Sequence, residues 1–206
     1  FQSRYLILRS AQPMCNLGDM TFYRRSPRMG LLFLTNAIIA GGVEVFLHSI
    51  MEGVRQLPVE PYLVTYRHSH EQWFRWFYHV TPYVYELVNF LPETAYTDFL
   101  IKLVRTHDIH YIVMTNTPDG YAALPRLKAA LPYVHVTDIL HTDEPFMFEK
   151  SVHAFPYVDA LITVNPAIRD ALARSGRVDM ARVRMIEYGI DAYGMFEPSR
   201  YDRNSI

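Results

Sequence analysis

The residues Leu31-Leu32-Phe33-Leu34 form an unbroken apolar run, the pattern of a strand buried on both faces of a parallel sheet. The period then changes. Beyond Asn36 the chain turns polar and glycine-containing, after which Val43, Phe46, Leu47, Ile50 and Val54 fall on one helical stripe that can lie back on the sheet. Strand, loop and helix follow one another, with loop 36–42 at the carboxyl end of the strand. Doubly wound sheets bind ligands at that end, and Gly41-Gly42 lets backbone N–H groups approach one closely. The same two glycines also suit a sharp turn into a packed helix, a reading that needs no ligand.

The alternation continues down the chain. Pro58 is a breaker, and residues 61–66, rich in β-branched and aromatic side chains, predict a second strand. Further strands are predicted over 83–88, 109–114, 133–140 and 159–164, with a short one over 182–187. Pro92-Glu93-Thr94 opens a helix whose inward face is Phe99, Leu100, Leu103 and Val104 and which His107-Asp108 ends. Thr117-Pro118-Asp119 and Asn165-Pro166 each pair a capping residue with proline at the first helical position, and Gly176 stops the last helix. Strands alternating with helices give an α/β fold: a Rossmann-like, doubly wound, mostly parallel sheet with helices on both faces. The loops after the strands then converge on one edge.

Three of those loops carry candidate chemistry. Asn116 projects from the end of the strand over 109–114, where ligand contact competes with a turn or capping role. His141 follows the strand over 133–140 and can exchange a proton near neutral pH, with Asp143 and Glu144 placed to orient it; both acids also suit the start of the next helix. His68-Ser69-His70 supplies two imidazoles but no convincing third ligand, so surface histidines are the commoner reading and no metal site is assigned. The run Trp73-Phe74-Arg75-Trp76-Phe77-Tyr78 places Trp73, Trp76 and Phe77 on one helical face. Core packing is the favoured account; cleft cover, acceptor contact or membrane dipping are the others.

Composition narrows the field. With 206 residues, 50% hydrophobic and 20% charged, the chain can bury one large core. A formal net charge of -1 gives no field that draws in nucleic acid or an anionic membrane. A single cysteine, Cys15, cannot staple the fold and suits a reducing cytoplasm. No apolar run reaches the ~18 residues of a membrane span, and Arg4-Tyr5-Leu6-Ile7-Leu8 is too short for a secretory leader. Neither Gly-x-Gly-x-x-Gly nor the P-loop motif is present, which disfavours a dinucleotide oxidoreductase or a P-loop enzyme. Residues 1–3 read as the remnant of a cleavable tag, 4–28 as a lead-in packed on the domain edge, 29–198 as the domain and 199–206 as a tail.

Across residues 29–198 the order of elements, with Gly41-Gly42-Val43-Glu44, His141, Leu161-Ile162-Thr163-Val164-Asn165, Val183 to Asp191 and Phe196-Glu197-Pro198, resembles the N-terminal half of retaining glycosyltransferases of family 4, which have the two-domain GT-B fold. By that resemblance Gly41 and Gly42 match the loop near the donor phosphates and acceptor, and His141 the cleft histidine that contacts the transferred sugar. Gly189 and Asp191 match the segment leading to the second domain. Two residues depart from the pattern: Tyr188 stands where the family usually has Asn, and Asn165 where it commonly has Ser. The resemblance implies a nucleotide-sugar donor, a glycan, lipid or small-molecule acceptor, no cofactor or obligatory metal, no nucleic-acid partner, and a C-terminal domain in cis that makes most donor contacts. With the single cysteine, the expected location is the cytoplasm, extending to the inner face of the membrane. A non-catalytic α/β scaffold within a larger protein is the alternative from another class.

Overall fold

The structure, a computed structural model, describes residues 28–189. The expected tag remnant and tail, all of the lead-in but Arg28, and Asp191 lie outside the described residues. Seven parallel strands form one sheet in the order β3-β2-β1-β4-β5-β6-β7: β1 Met29–Thr35, β2 Val59–Thr65, β3 Val84–Glu86, β4 Ile109–Thr115, β5 His135–Leu140, β6 Ala160–Thr163 and β7 Val183–Met185. Six helices connect them: α1 Gly42–Val54, α2 Glu71–Phe77, α3 Tyr96–His107, α4 Pro118–Ala130, α5 Pro145–Ala154 and α6 Pro166–Ser175. From β1 the chain steps outward to β2 and β3, then returns to place β4 on the other side of β1. This reversal opens a crevice outside the carboxyl ends of β1 and β4, where doubly wound sheets bind ligands.

The pleat divides the core. Phe33 and Leu63 pack with Leu47 and Met51 of α1 and Phe74 and Phe77 of α2 on one face. Their neighbours Leu32, Leu34 and Val64 pack with Phe99, Leu103, Leu124 and Leu127 of α3 and α4 on the other. Under β5 to β7, Leu140, Leu161 and Val183 meet Val152, Phe155, Ile168 and Leu172. The doubly wound, parallel architecture expected from the sequence is therefore the observed one.

Local differences have local causes. The strand expected over 83–88 is cut to Val84–Glu86: Leu87 turns into the core, Phe90 N donates to Leu87 O to close a 3-10 turn, and Asn89 Nδ2 donates to Glu86 Oε1 at 2.8 Å. Pro92-Glu93-Thr94 likewise gives a 3-10 turn before α3 begins. The buried line of α1 is Glu44, Leu47 and Met51, while the expected Val43, Phe46, Ile50 and Val54 are half-buried. Phe46 and Ile50 lean toward β5 and β6 instead, because α1 straddles two packing regions. Of the aromatic run, Phe74 and Phe77 are buried, with Trp73 and Trp76 half-buried against the same core.

Candidate functional site

The loop between β1 and α1 is strapped to the loop after β2. Tyr66 N and Arg67 N both donate to Asn36 O, His70 N donates to Ile38 O, and Ile38 N donates to Ser69 Oγ at 2.9 Å. Gly41 takes the N-cap position of α1 with extended backbone, φ -173°, and no side chain caps the helix. Any residue can adopt that backbone, so conformation does not explain the glycine; instead, a Cβ at Gly41 would lie 2.7 Å from Glu44 Oε2. Gly42 begins the helix facing open space, with nothing within 4 Å of a Cβ there. Neither glycine offers a side chain to the amide groups of the first turn of α1, although the Glu44 carboxylate folds back beside Gly41; helix termini of this kind lie where anions are attracted.

His141 stands one residue beyond β5. Its Nδ1 shares a hydrogen bond with the Tyr188 hydroxyl, and Phe46 of α1 meets it edge-on with ring centroids 5.4 Å apart. Tyr188 lies nearly parallel to the imidazole at 5.7 Å and packs on Phe46 at 4.6 Å. Nε2 of His141 is buried and has no partner among the described residues. Desolvation by these rings pushes the imidazole pKa down to about 4, and the Tyr188 hydroxyl up to about 12. His141 is thus neutral at physiological pH. A neutral imidazole that accepts at Nδ1 carries its proton on Nε2, so it can bond a substrate hydroxyl but offers no positive charge to a diphosphate.

The acids that follow do not orient His141. Glu144 caps α5, accepting from Phe146 N and Met147 N, and Asp143 is exposed on the loop. Tyr188 takes the orienting role instead. Further support comes from Asp138, 0% exposed on β5, which accepts hydrogen bonds from Tyr121 of α4 at 2.9 Å and Ser151 of α5 at 2.5 Å. Burial pushes its carboxyl up to about 6, against those two hydrogen bonds. The three residues pin α4 and α5 to β5, and with them the loop carrying His141.

Asn116 follows β4 in the left-handed region, φ 42°, as asparagine tolerates. Capping falls to Thr117, whose Oγ1 accepts from Gly120 N, while Asn116 Oδ1 is buried without a partner among the described residues. Gly189 is exposed beside Tyr188. Phe46, four residues after Gly42 on α1, meets both His141 and Tyr188, the residue before Gly189, whereas Asn116 lies beyond the end of neighbouring β4 and Asp143 is exposed on the loop after His141. Sequence reasoning missed a row of threonines: Thr65, Thr35 and Thr115 close β2, β1 and β4 in register, all buried, and the hydroxyls of Thr65 and Thr115 have no partner among the described residues. A threonine within one residue of the end of each of these three predicted strands was the available signal. In the His68–His70 segment, His68 Nδ1 lies 3.4 Å from Glu86 Oε1, and no group of three metal-ligating side chains occurs among the described residues.

A doubly wound parallel sheet, a glycine-led helix at its switch point and a neutral histidine beyond β5 define a Rossmann-like α/β domain with a ligand site at its carboxyl edge. The family model described as Glycosyltransferase Family 4 matches residues 40–192, most of the chain, and the chain belongs to that family. Its fold is similar to that of HepE from Anabaena, solved with UDP and glucose, at TM-score 0.59 and 16% identity over 80% of this chain and 45% of that one. It is also similar to a UDP-N-acetylglucosamine 2-epimerase at 0.53 and 9%, over 77% of this chain and 48% of that one. MurG of Acinetobacter baumannii gives 0.53 and 9%, over 81% and 47%. The chain therefore spans about half the length of these solved structures. No curated protein matches it significantly.

Proposed function

We propose that the chain is the N-terminal, acceptor-side half of a retaining glycosyltransferase that moves a sugar from a nucleotide-sugar donor to a glycan, lipid or small-molecule acceptor. The observation that carries this reading is the meeting of Phe46 of α1, His141 and Tyr188 beyond the carboxyl ends of the strands, in a chain of this family. In this reading the amides after Gly41 and Gly42 approach the donor phosphates, and His141 bonds a hydroxyl of the transferred sugar. Asn116, Asp143, Gly189 and Asp191 are carried as substrate contacts, and neither a cofactor nor an obligatory metal is required. HepE, solved with UDP and glucose, supports the donor class.

An oxocarbenium-like transition state and a leaving diphosphate need polar groups closing from both sides with water excluded. With His141 neutral, the positive charge on the diphosphate falls to a C-terminal domain in cis. The isolated chain accordingly binds a donor weakly and turns over little or none of it. The reading places the protein in the cytoplasm, extending to the inner face of the membrane where a lipid acceptor would be met; no helix among the described residues is long and apolar enough to cross a membrane.

The test is a titration of the isotope-labelled chain with UDP-glucose at millimolar concentration, followed by NMR. Shifts should cluster at Gly41, Gly42, His141 and Gly189. Shifts confined to another surface, or turnover by this chain comparable with that of a full-length enzyme, would overturn the reading. The scaffold alternative is favoured by one observation, the Tyr188 hydroxyl sealing Nδ1 of His141, and predicts no shifts at all.

A further inference from the structure

We propose that Tyr188 fills, in this chain, the slot that a hydroxylated sugar ring must enter to reach His141, so that substrate binding begins with its displacement. The proposal rests on the glycosyltransferase reading for the identity of the entering ring; the slot itself is a matter of geometry. Tyr188 offers a six-membered ring to Phe46 at 4.6 Å, a second face to the imidazole at 5.7 Å, and a hydroxyl to Nδ1 of His141. A pyranose has the same parts: a six-membered ring, apolar C–H faces suited to an aromatic wall, and a rim of hydroxyls. Both cannot occupy the slot. With Nδ1 engaged and Nε2 buried, neither nitrogen of His141 is open to a ligand while Tyr188 is in place.

Displacement leaves the sheet intact. Ile186 N donates to Thr163 O at 2.9 Å, two residues before Tyr188, and the tyrosine lies beyond the end of β7 with 42% of its surface exposed. Swinging the ring out breaks one side-chain hydrogen bond and two ring contacts. A binding-competent state populated at about one part in ten weakens apparent affinity about tenfold. The tyrosine is therefore a specificity element as well as a gate: a ligand has to offer both a stacking face and a hydroxyl to replace what it removes.

The experiment reads His141 directly, by diethyl pyrocarbonate modification resolved by peptide mass spectrometry, because the chain carries nine histidines. Only neutral, accessible imidazole reacts, and desolvation keeps His141 neutral near pH 7, so slow reaction reports occlusion. Tyr188→Ala should react about tenfold faster at His141 than the wild type, the inverse of the open fraction, with the other histidines unchanged. Tyr188→Phe keeps the ring and should remain slower than Tyr188→Ala. Equal rates in wild type and Tyr188→Ala, or Tyr188→Phe as fast as Tyr188→Ala, would overturn the proposal. UDP-glucose at millimolar concentration should then protect His141 in Tyr188→Ala. If the alanine variant opens the histidine but UDP-glucose does not protect it, the gate is supported and the nucleotide-sugar reading of the site fails.

Discussion

Glu44 folds back over Gly41: its Oε2 stands 2.7 Å from where a Cβ on that glycine would be, while the adjacent Gly42 has empty space at the same position. The two glycines therefore answer differently to the same substitution. Gly41→Ala forces the largely buried Glu44 side chain to move and should lower stability by ~1 kcal/mol, within the usual range for a single substitution. Gly42→Ala meets nothing, gains helix propensity and should be neutral or stabilising by about 0.5–1 kcal/mol, yet its methyl group covers the open end of α1. Denaturant unfolding and UDP-glucose titration of both variants check this: Gly42→Ala should lose ligand-induced shifts without losing stability. If it keeps them, the glycine pair is turn chemistry and nothing more.

Asp138 makes stability depend on pH in an unusual direction. Its folded pKa, about 6, lies above the value of about 3.9 for an unfolded aspartate, so the folded state holds the proton more tightly. The stabilisation is fully present below the unfolded pKa, is lost as pH rises from about 4 through about 6, and then levels off. Asp138→Asn should flatten that fall. Unfolding free energies of wild type and variant, measured from pH 4 to pH 7, should converge or diverge by an amount of order 2 kcal/mol across this window. A difference that stays constant would show that Asp138 is ionised in the fold throughout.

The sheet was legible because its strands are apolar runs and its helices carry caps: Thr117-Pro118 and Asn165-Pro166 start α4 and α6 as expected, and Gly176 ends α6 at φ 60°. Within the site, the placement of the glycine loop and of His141 after parallel strands of one sheet followed from topology, since loops after parallel strands share an edge. What surrounds His141 did not follow. Phe46 fell on the stripe read as sheet-facing, and only the lean of α1 toward β5 brings its ring to the imidazole. Tyr188 was visible as a departure from the family pattern, but its hydrogen bond to a residue 47 positions away depends on the chain leaving β7 and reaching past β6 to the end of β5. The orienting role expected of Asp143 and Glu144 went to Tyr188, because the free amides of α5 are closer partners for Glu144.

Trp76 stacks on His48 of α1 with ring centroids 3.5 Å apart and planes 9° from parallel. Burial lowers the pKa of His48, against the pull of Glu52. The tryptophan therefore joins α2 to α1 instead of standing free at the cleft. Trp76→Ala should cost about 2 kcal/mol, below the 3–5 of a fully buried tryptophan because the ring is half-buried, and His48 should titrate closer to its ordinary value. NMR titration and thermal unfolding read both. An unchanged Tm with a weakened acceptor interaction would return this face to substrate binding.

The strap between the first two loops gives the last prediction. Ile38 is fully buried and its amide has one partner, the Ser69 hydroxyl, reached across 31 residues of sequence. Ser69→Ala strands that N–H, and an unsatisfied buried donor costs roughly 1–3 kcal/mol. Much of this cost falls on the loop itself, since Ile38 lies between Asn36, which holds Tyr66 and Arg67, and the exposed Ile39-Ala40 that leads into Gly41. Hydrogen exchange should therefore accelerate at the amides of loop 36–42 and the first turn of α1 more than in β4 or β5. Ser69→Thr keeps the hydroxyl and should restore slow exchange. Uniform acceleration across the whole sheet would mean that Ser69 supports global stability and does not hold the glycine loop in place.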